Sequence, residues 1–92
     1  MDVMDLEEIK SKITTNVYHI TADKKVGLHK HHNFDELFYC IKGEGFGVLE
    51  NQEVELSVGK VFVVPAETMH ALRTDTNLWV GSFLIPVIAD KP

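Results

Sequence analysis

The spacing of apolar and polar positions changes period once along the chain, near Thr14. Before that point Leu6, Ile9 and Ile13 fall at helical spacing, Asp5 stands at a capping position and Glu8 follows three residues later. This predicts a short helix or arm of about two turns at most. After it, short runs rich in Val, Ile, Phe, Tyr and Thr are broken by Gly, Asn, Asp and Pro at intervals of about ten residues, the signature of many short strands. The predicted strands are Asn16 to Ile20, Val26 to His31, Asp35 to Lys42, Gly45 to Leu49, Glu53 to Val58, Lys60 to Val64, His70 to Arg73 and Leu78 to Ile85.

Several joints have a physical basis. Glu50-Asn51-Gln52-Glu53 reads as a hairpin, because Asn51 tolerates a left-handed backbone and alternation resumes at once with Val54, Leu56 and Val58. Lys42-Gly43-Glu44-Gly45 is expected to reverse the chain. Pro65 has no N–H for a ladder and should end the strand Val61-Phe62-Val63-Val64. Asp75-Thr76-Asn77 makes the last turn. Short antiparallel strands in one unit hide their edges by closing into a barrel or stacking as a sandwich, so the expected class is all-β.

Composition narrows the partners. The 92 residues allow one domain, residues 1–92, with no repeat or linker. The 9 basic against 14 acidic residues give a formal charge of −5, which disfavours nucleic acid and anionic membrane surfaces. A single cysteine, Cys40, cannot form an internal disulfide, and the opening residues Met1 to Glu8 lack the basic segment and apolar core of a signal peptide, so a cytoplasmic location is expected. No apolar stretch approaches the roughly 20 residues of a membrane-spanning helix. Gly43, Gly45 and Gly47 are spaced as turn and strand glycines and make no phosphate-cradling loop.

Histidine is the residue in excess, with five in the chain and three of them in His29-Lys30-His31-His32. On a strand His29 and His31 share a face while Lys30 and His32 take the other. Glu36 follows across the bend His32-Asn33-Phe34 and can fold back beside the pair. Two imidazoles and a carboxylate suit Fe, Mn, Ni, Co, Cu or Zn. His70, directly after the Pro65 loop, supplies a fourth ligand if its strand flanks the first pair. A lone histidine in a strand is ordinarily a surface or satisfied core residue, and His32 and His19 are read that way. The combination with a carboxylate is different, because unpaired polar groups facing a barrel interior carry a desolvation cost.

Taken together, His29-x-His31-x4-Glu36-x6-Gly43, fifteen intervening residues, and Gly59-x5-Pro65-x-Glu67-x2-His70 resemble the two motifs of the cupin superfamily. The motifs occupy about 27–43 and 59–74, and the flanking strands extend the likeness from about Asn16 to Ile85. The resemblance implies a jelly-roll barrel, the double-stranded β-helix, open at one end, with His29, His31, Glu36 and His70 as ligands of a divalent transition metal. The chain departs from the pattern in three places. Asp23 stands where the first motif usually opens with glycine, although Gly27 is close by, and Glu67 and Thr74 replace a glycine and an asparagine of the second. None of these is a ligand, and Glu67 is placed near the pocket mouth.

With Glu36 inward, parity sends Phe38 and Cys40 inward and Leu37, Tyr39 and Ile41 outward. His70 and Leu72 also face in, and Phe46, Phe62, Met69, Trp79 and Phe83 are candidates for the rest of the wall. The proposed substrate pocket is Phe38, Cys40, Phe46, Phe62 and Leu72. Cys40 reads as a small buried hydrophobe. A strand apolar on both faces needs two covers, and a homodimer supplies the second; the alternative cover is the N-terminal arm. The function expected from the resemblance is a metal-dependent enzyme, dioxygenase-like, acting on a small organic substrate. An isomerase would need a separate base, and inward positions offer few titratable groups besides the ligands. The alternatives are a non-catalytic module that senses or binds a small molecule or metal, and a metal that serves only to stabilise the fold.

Overall fold

The computed structural model describes residues 5–24 and 26–87, without the side chains of residues 26–28. Met1 to Met4, part of the segment tested for a signal peptide, lie outside the described residues. Helix α1 (Leu6–Lys12) is capped by Asp5, whose carboxylate accepts from the N–H groups of Glu7 and Glu8 at 3.1 and 3.2 Å. It buries no residue. Among the described residues seven antiparallel strands follow: β1 (Thr14–Thr21), β2 (Val26–His29), β3 (Phe34–Leu49), β4 (Gln52–Ser57), β5 (Val61–Val64), β6 (His70–Arg73) and β7 (Asn77–Pro86). Among the described residues no helix is long and apolar enough to cross a membrane.

The architecture turns on β3, which runs 16 residues and belongs to two layers. Its first half lies between β5 and β7, with β1 beyond β7; its second half lies between β4 and β6, with β2 beyond β6. The two layers close over a core of Ile20, Phe38, Cys40, Leu56, Phe62, Val64, Leu72, Leu78 and Val80, each at most 3% exposed. Burial of such side chains stabilises by about 1.5–3 kcal/mol apiece before chain entropy is counted. The fold is the expected all-β jelly-roll barrel with a short N-terminal helix.

One expected turn is absent. Lys42 to Gly45 does not reverse the chain; it bends a single strand, so two predicted strands are one. A register shift between Cys40 and Lys42 and a left-handed Gly43 (φ 82°) carry β3 from one layer to the other. A Cβ on Gly43 would run into the Asn77 carbonyl, so both the φ angle and the close approach require glycine. The second expected strand also ends earlier, at His29 instead of His31. The Asn51 hairpin and the stop before Pro65 appear as expected.

Candidate metal centre

His29 and His70 are direct cross-strand partners in the β2–β6 pair, with ring centroids 4.3 Å apart. His31 lies two residues beyond β2, and its carbonyl accepts the Glu67 N–H at 2.9 Å, which ties this connection to the loop after Pro65. A left-handed Asn33 (φ 65°) then turns the chain into β3, and Glu36 points inward from its third residue. The His31 ring stands 5.1 Å from His29 and 5.6 Å from His70. One donor atom from each of His29, His31, Glu36 and His70 falls within 4.8 Å of the others.

The carboxylate organises the cluster. Glu36 Oε1 is 2.9 Å from His70 Nε2 and 3.0 Å from His31 Nε2, while Oε2 accepts from the buried Ser82 hydroxyl at 2.6 Å. On the far side of its ring, His70 donates from Nδ1 to the Thr68 carbonyl at 2.9 Å. That bond keeps a proton on Nδ1, so the neutral ring turns its Nε2 lone pair to the cluster as a ligand atom, and the protonated ring donates from Nε2 to Glu36. Burial by itself would raise the Glu36 pKa, but hydrogen bonds from His70 and Ser82 and the neighbouring imidazoles outweigh it and hold the group below its ordinary value. Burial would likewise lower His70, yet Glu36 and the Thr68 carbonyl raise it.

The donor set fits a divalent ion. Ligand bonds of about 2.1 Å place adjacent donors about 3.0 Å apart and opposite ones about 4.2 Å apart. The Glu36 contacts match the first spacing, and the 4.8 Å spread closes on an ion by small side-chain rotations. His31 Nε2 carries the clearest sign: it is buried and within 3.0 Å of Glu36 Oε1, yet has no hydrogen-bond partner among the described residues. The separation suits a hydrogen bond and the direction does not, as expected when lone pairs converge on a shared point.

A cavity of about 160 Å³ adjoins the cluster, walled by Tyr18, Phe38, Leu72 and Leu84 together with His29, His31 and Glu36. Of the pocket residues expected from sequence, Phe38 and Leu72 line it. Cys40 and Phe62 are buried in the core instead: Phe62 stacks on Phe38 at 6.0 Å, and the Cys40 thiol, raised by burial, faces the carbonyls of Lys42 and Gly43. Phe46 turns away and carries the Arg73 guanidinium 4.1 Å above its ring. Trp79 stacks on His19 outside the barrel at 4.1 Å, and Phe83 is 36% exposed. Glu67 takes the left-handed φ of 70° that favours a glycine and pairs with the exposed His32 at 2.8 Å, so it does not reach the cavity. Thr74 donates to the Glu44 carbonyl at 2.6 Å and accepts the Thr76 N–H, building the turn before β7.

Three residues of the site escaped the sequence reading. Tyr18 and Leu84 reach the cavity from β1 and β7, whose pairing no local pattern announces. Ser82 is a lone hydroxyl in the inward series Leu78, Val80, Ser82, Leu84, and that break in apolar alternation was the available signal.

Comparison with known proteins bears on the family and the fold. An uncharacterised protein of Methanocaldococcus jannaschii is 29% identical over 59 residues, 64% of this chain and 47% of that protein. The quercetin 2,3-dioxygenase of Bacillus subtilis is 37% identical over 49 residues, 53% of this chain and 14% of the enzyme. The chain thus spans under half the length of either relative. Among solved structures, a predicted oxalate decarboxylase of Thermotoga maritima superimposes with a TM-score of 0.77 at 23% identity, covering 92% of this chain and 76% of the other. At that identity the likeness speaks for the fold. The family model of the cupin domain matches residues 16–84, three quarters of the sequence, and the chain belongs to the cupin family.

Proposed function

We propose that His29, His31, Glu36 and His70 hold a divalent transition metal, one of Fe, Mn, Ni, Zn, Co or Cu, and that the chain is a metal-dependent enzyme of the dioxygenase-like kind acting on a small organic substrate. The observation that carries the reading is the buried, partnerless His31 Nε2 beside Glu36. A bound ion supplies Lewis acidity or a redox centre for an oxygen-bearing substrate. Ser82 and the Thr68 carbonyl orient Glu36 and His70, and Phe38, Leu72 and Leu84 give the cavity apolar walls. Tyr18 and the ligands are the titratable groups among the lining residues, which favours metal-centred chemistry over a separate acid and base. The similarity to a quercetin dioxygenase supports the same direction.

The test is elemental analysis of protein purified without added metal. About one redox-active ion per chain supports the enzyme; an empty or zinc-filled site supports the non-catalytic binding module instead. Loss of the ion in His70→Ala, with retained occupancy in a surface control such as Lys60→Ala, assigns the ligands.

A homodimer, in the cytoplasm, completes this reading. It is supported by the outer face of the layer containing β1, β7, β3 and β5, where Val17, Val63 and Ile41 are 70%, 57% and 46% exposed beside Tyr39 and Phe83. Sedimentation at micromolar concentration giving a single monomeric species refutes it.

A further inference from the structure

The cavity beside the histidines carries information about what it accepts. Its volume of about 160 Å³ is well below the roughly 300 Å³ at which pockets for drug-sized ligands begin. A three-ring flavonol such as quercetin is too bulky to be enclosed in that volume. The described lining holds no lysine or arginine. Beyond the ligand set its walls are the phenyl ring of Phe38 and the side chains of Leu72 and Leu84, with the Tyr18 phenol at the rim; Phe38 and Leu72 are 2% and 1% exposed.

Charge adds a second constraint. Three neutral imidazoles, one carboxylate and a divalent ion sum to +1, which one monoanionic oxygen donor neutralises. A second charge on the same ligand would sit against Phe38, Leu72 and Leu84 with no basic group of the described lining to pair it, and burying an unpaired charge is strongly unfavourable.

Resting on the metal reading above, we infer that this site selects a short monoanionic oxygen donor with an apolar body, of the size and class of a four- to six-carbon aliphatic monocarboxylate, and rejects dianions and zwitterions of equal size. The head faces the ion and the hydrocarbon lies along Leu72 and Leu84. Leu84, half-buried on β7 and directly opposite Glu36 in the β3–β7 pairing, is the specificity-determining position, because a side chain there borders the space beside the ion where the ligand's body must lie.

The experiment uses Co(II)-loaded protein, whose visible absorption reports changes in coordination without any turnover. Butyrate, succinate, 4-aminobutyrate and quercetin are titrated in turn. Butyrate is expected to shift the spectrum at a concentration at least tenfold lower than succinate or 4-aminobutyrate, and quercetin to leave it unchanged. Leu84→Arg should narrow or reverse the gap in favour of succinate by adding a positive charge to the cavity wall. Equal binding of butyrate and succinate, or no response to butyrate, overturns the inference and leaves the metal site standing. Absence of any Co(II) spectrum overturns both. If Leu84→Arg does not fold, the wild-type order alone decides.

Discussion

Between Glu36 and Ile41, strand β3 alternates Glu36, Phe38 and Cys40 on its inner side with Leu37, Tyr39 and Ile41 on its outer side, and the two sides meet opposite environments. The inner side is sealed from water yet carries a carboxylate 4% exposed, with Ser82 and His70 at 1% beside it. The outer side meets water and is apolar, with Tyr39 and Ile41 at 42% and 46% exposure. Each arrangement is unfavourable for an isolated chain, one through desolvation of charge and the other through exposed hydrocarbon. The lesson is that one strand can call for two kinds of partner, which the proposal above answers with an ion for the inner side and a protein surface for the outer.

Substitutions can separate the two. The largest effect is expected from His70→Ala, which removes a ligand and strips Glu36 of its buried imidazole partner. Bound metal should be lost, and the unfolding free energy of the metal-free protein, read by denaturant titration, should fall by about 3–5 kcal/mol. Ser82→Ala acts on the same carboxylate through one hydrogen bond. It should weaken metal binding about 10–100-fold by competition with a chromophoric chelator while the protein stays folded.

A pH series sharpens the inner side further. In metal-free protein, Glu36 is held below its ordinary pKa of 4.5, so its contribution is complete above that value and is lost as pH falls through the folded one. His70 is raised above 6.5, so its contribution is complete below that value and is lost as pH rises through the folded one. Metal-free protein should therefore lose thermal stability on going from pH 6 to pH 9, since those limits bracket a mildly acidic optimum. Metal-loaded protein should gain over the same interval, because ligation needs neutral imidazole. Parallel melting curves with and without chelator check the sign. The smallest effect on the centre is expected from Ile41→Glu on the outer side: metal content unchanged, with sedimentation shifting from dimer to monomer.

Much of this was legible in residue order. The inward parity of Glu36, Phe38 and Cys40, the stop at Pro65, the Asn51 hairpin and the capped first helix all follow from local chemistry, and the histidine spacing pointed to the cluster. The bend at Gly43 was not legible, because glycines spaced for a reversal are spaced equally well for a strand that changes layers; the Asn77 carbonyl decides between them, and it arrives from 34 residues downstream. Phe46 was misplaced for the same reason, since the bend resets parity beyond Gly43. Tyr18 and Leu84 required knowledge of the β1–β7 pairing, and Ser82 looked like any strand serine until its partner was known.

The double membership of β3 also governs how the chain can reach this fold. The strand contacts β4 through a tight hairpin, but its first half is completed by β7, and among the described strands β1 pairs with β7 alone, Thr14 opposite Leu84. Of these pairings, the β3–β4 hairpin is the one that closes locally; the cluster itself joins residues 29 and 70. Contacts so distant along the chain make for slow, late-closing folding. During synthesis the β3–β4 hairpin can form early, whereas β1 must wait uncovered until β7 has left the ribosome.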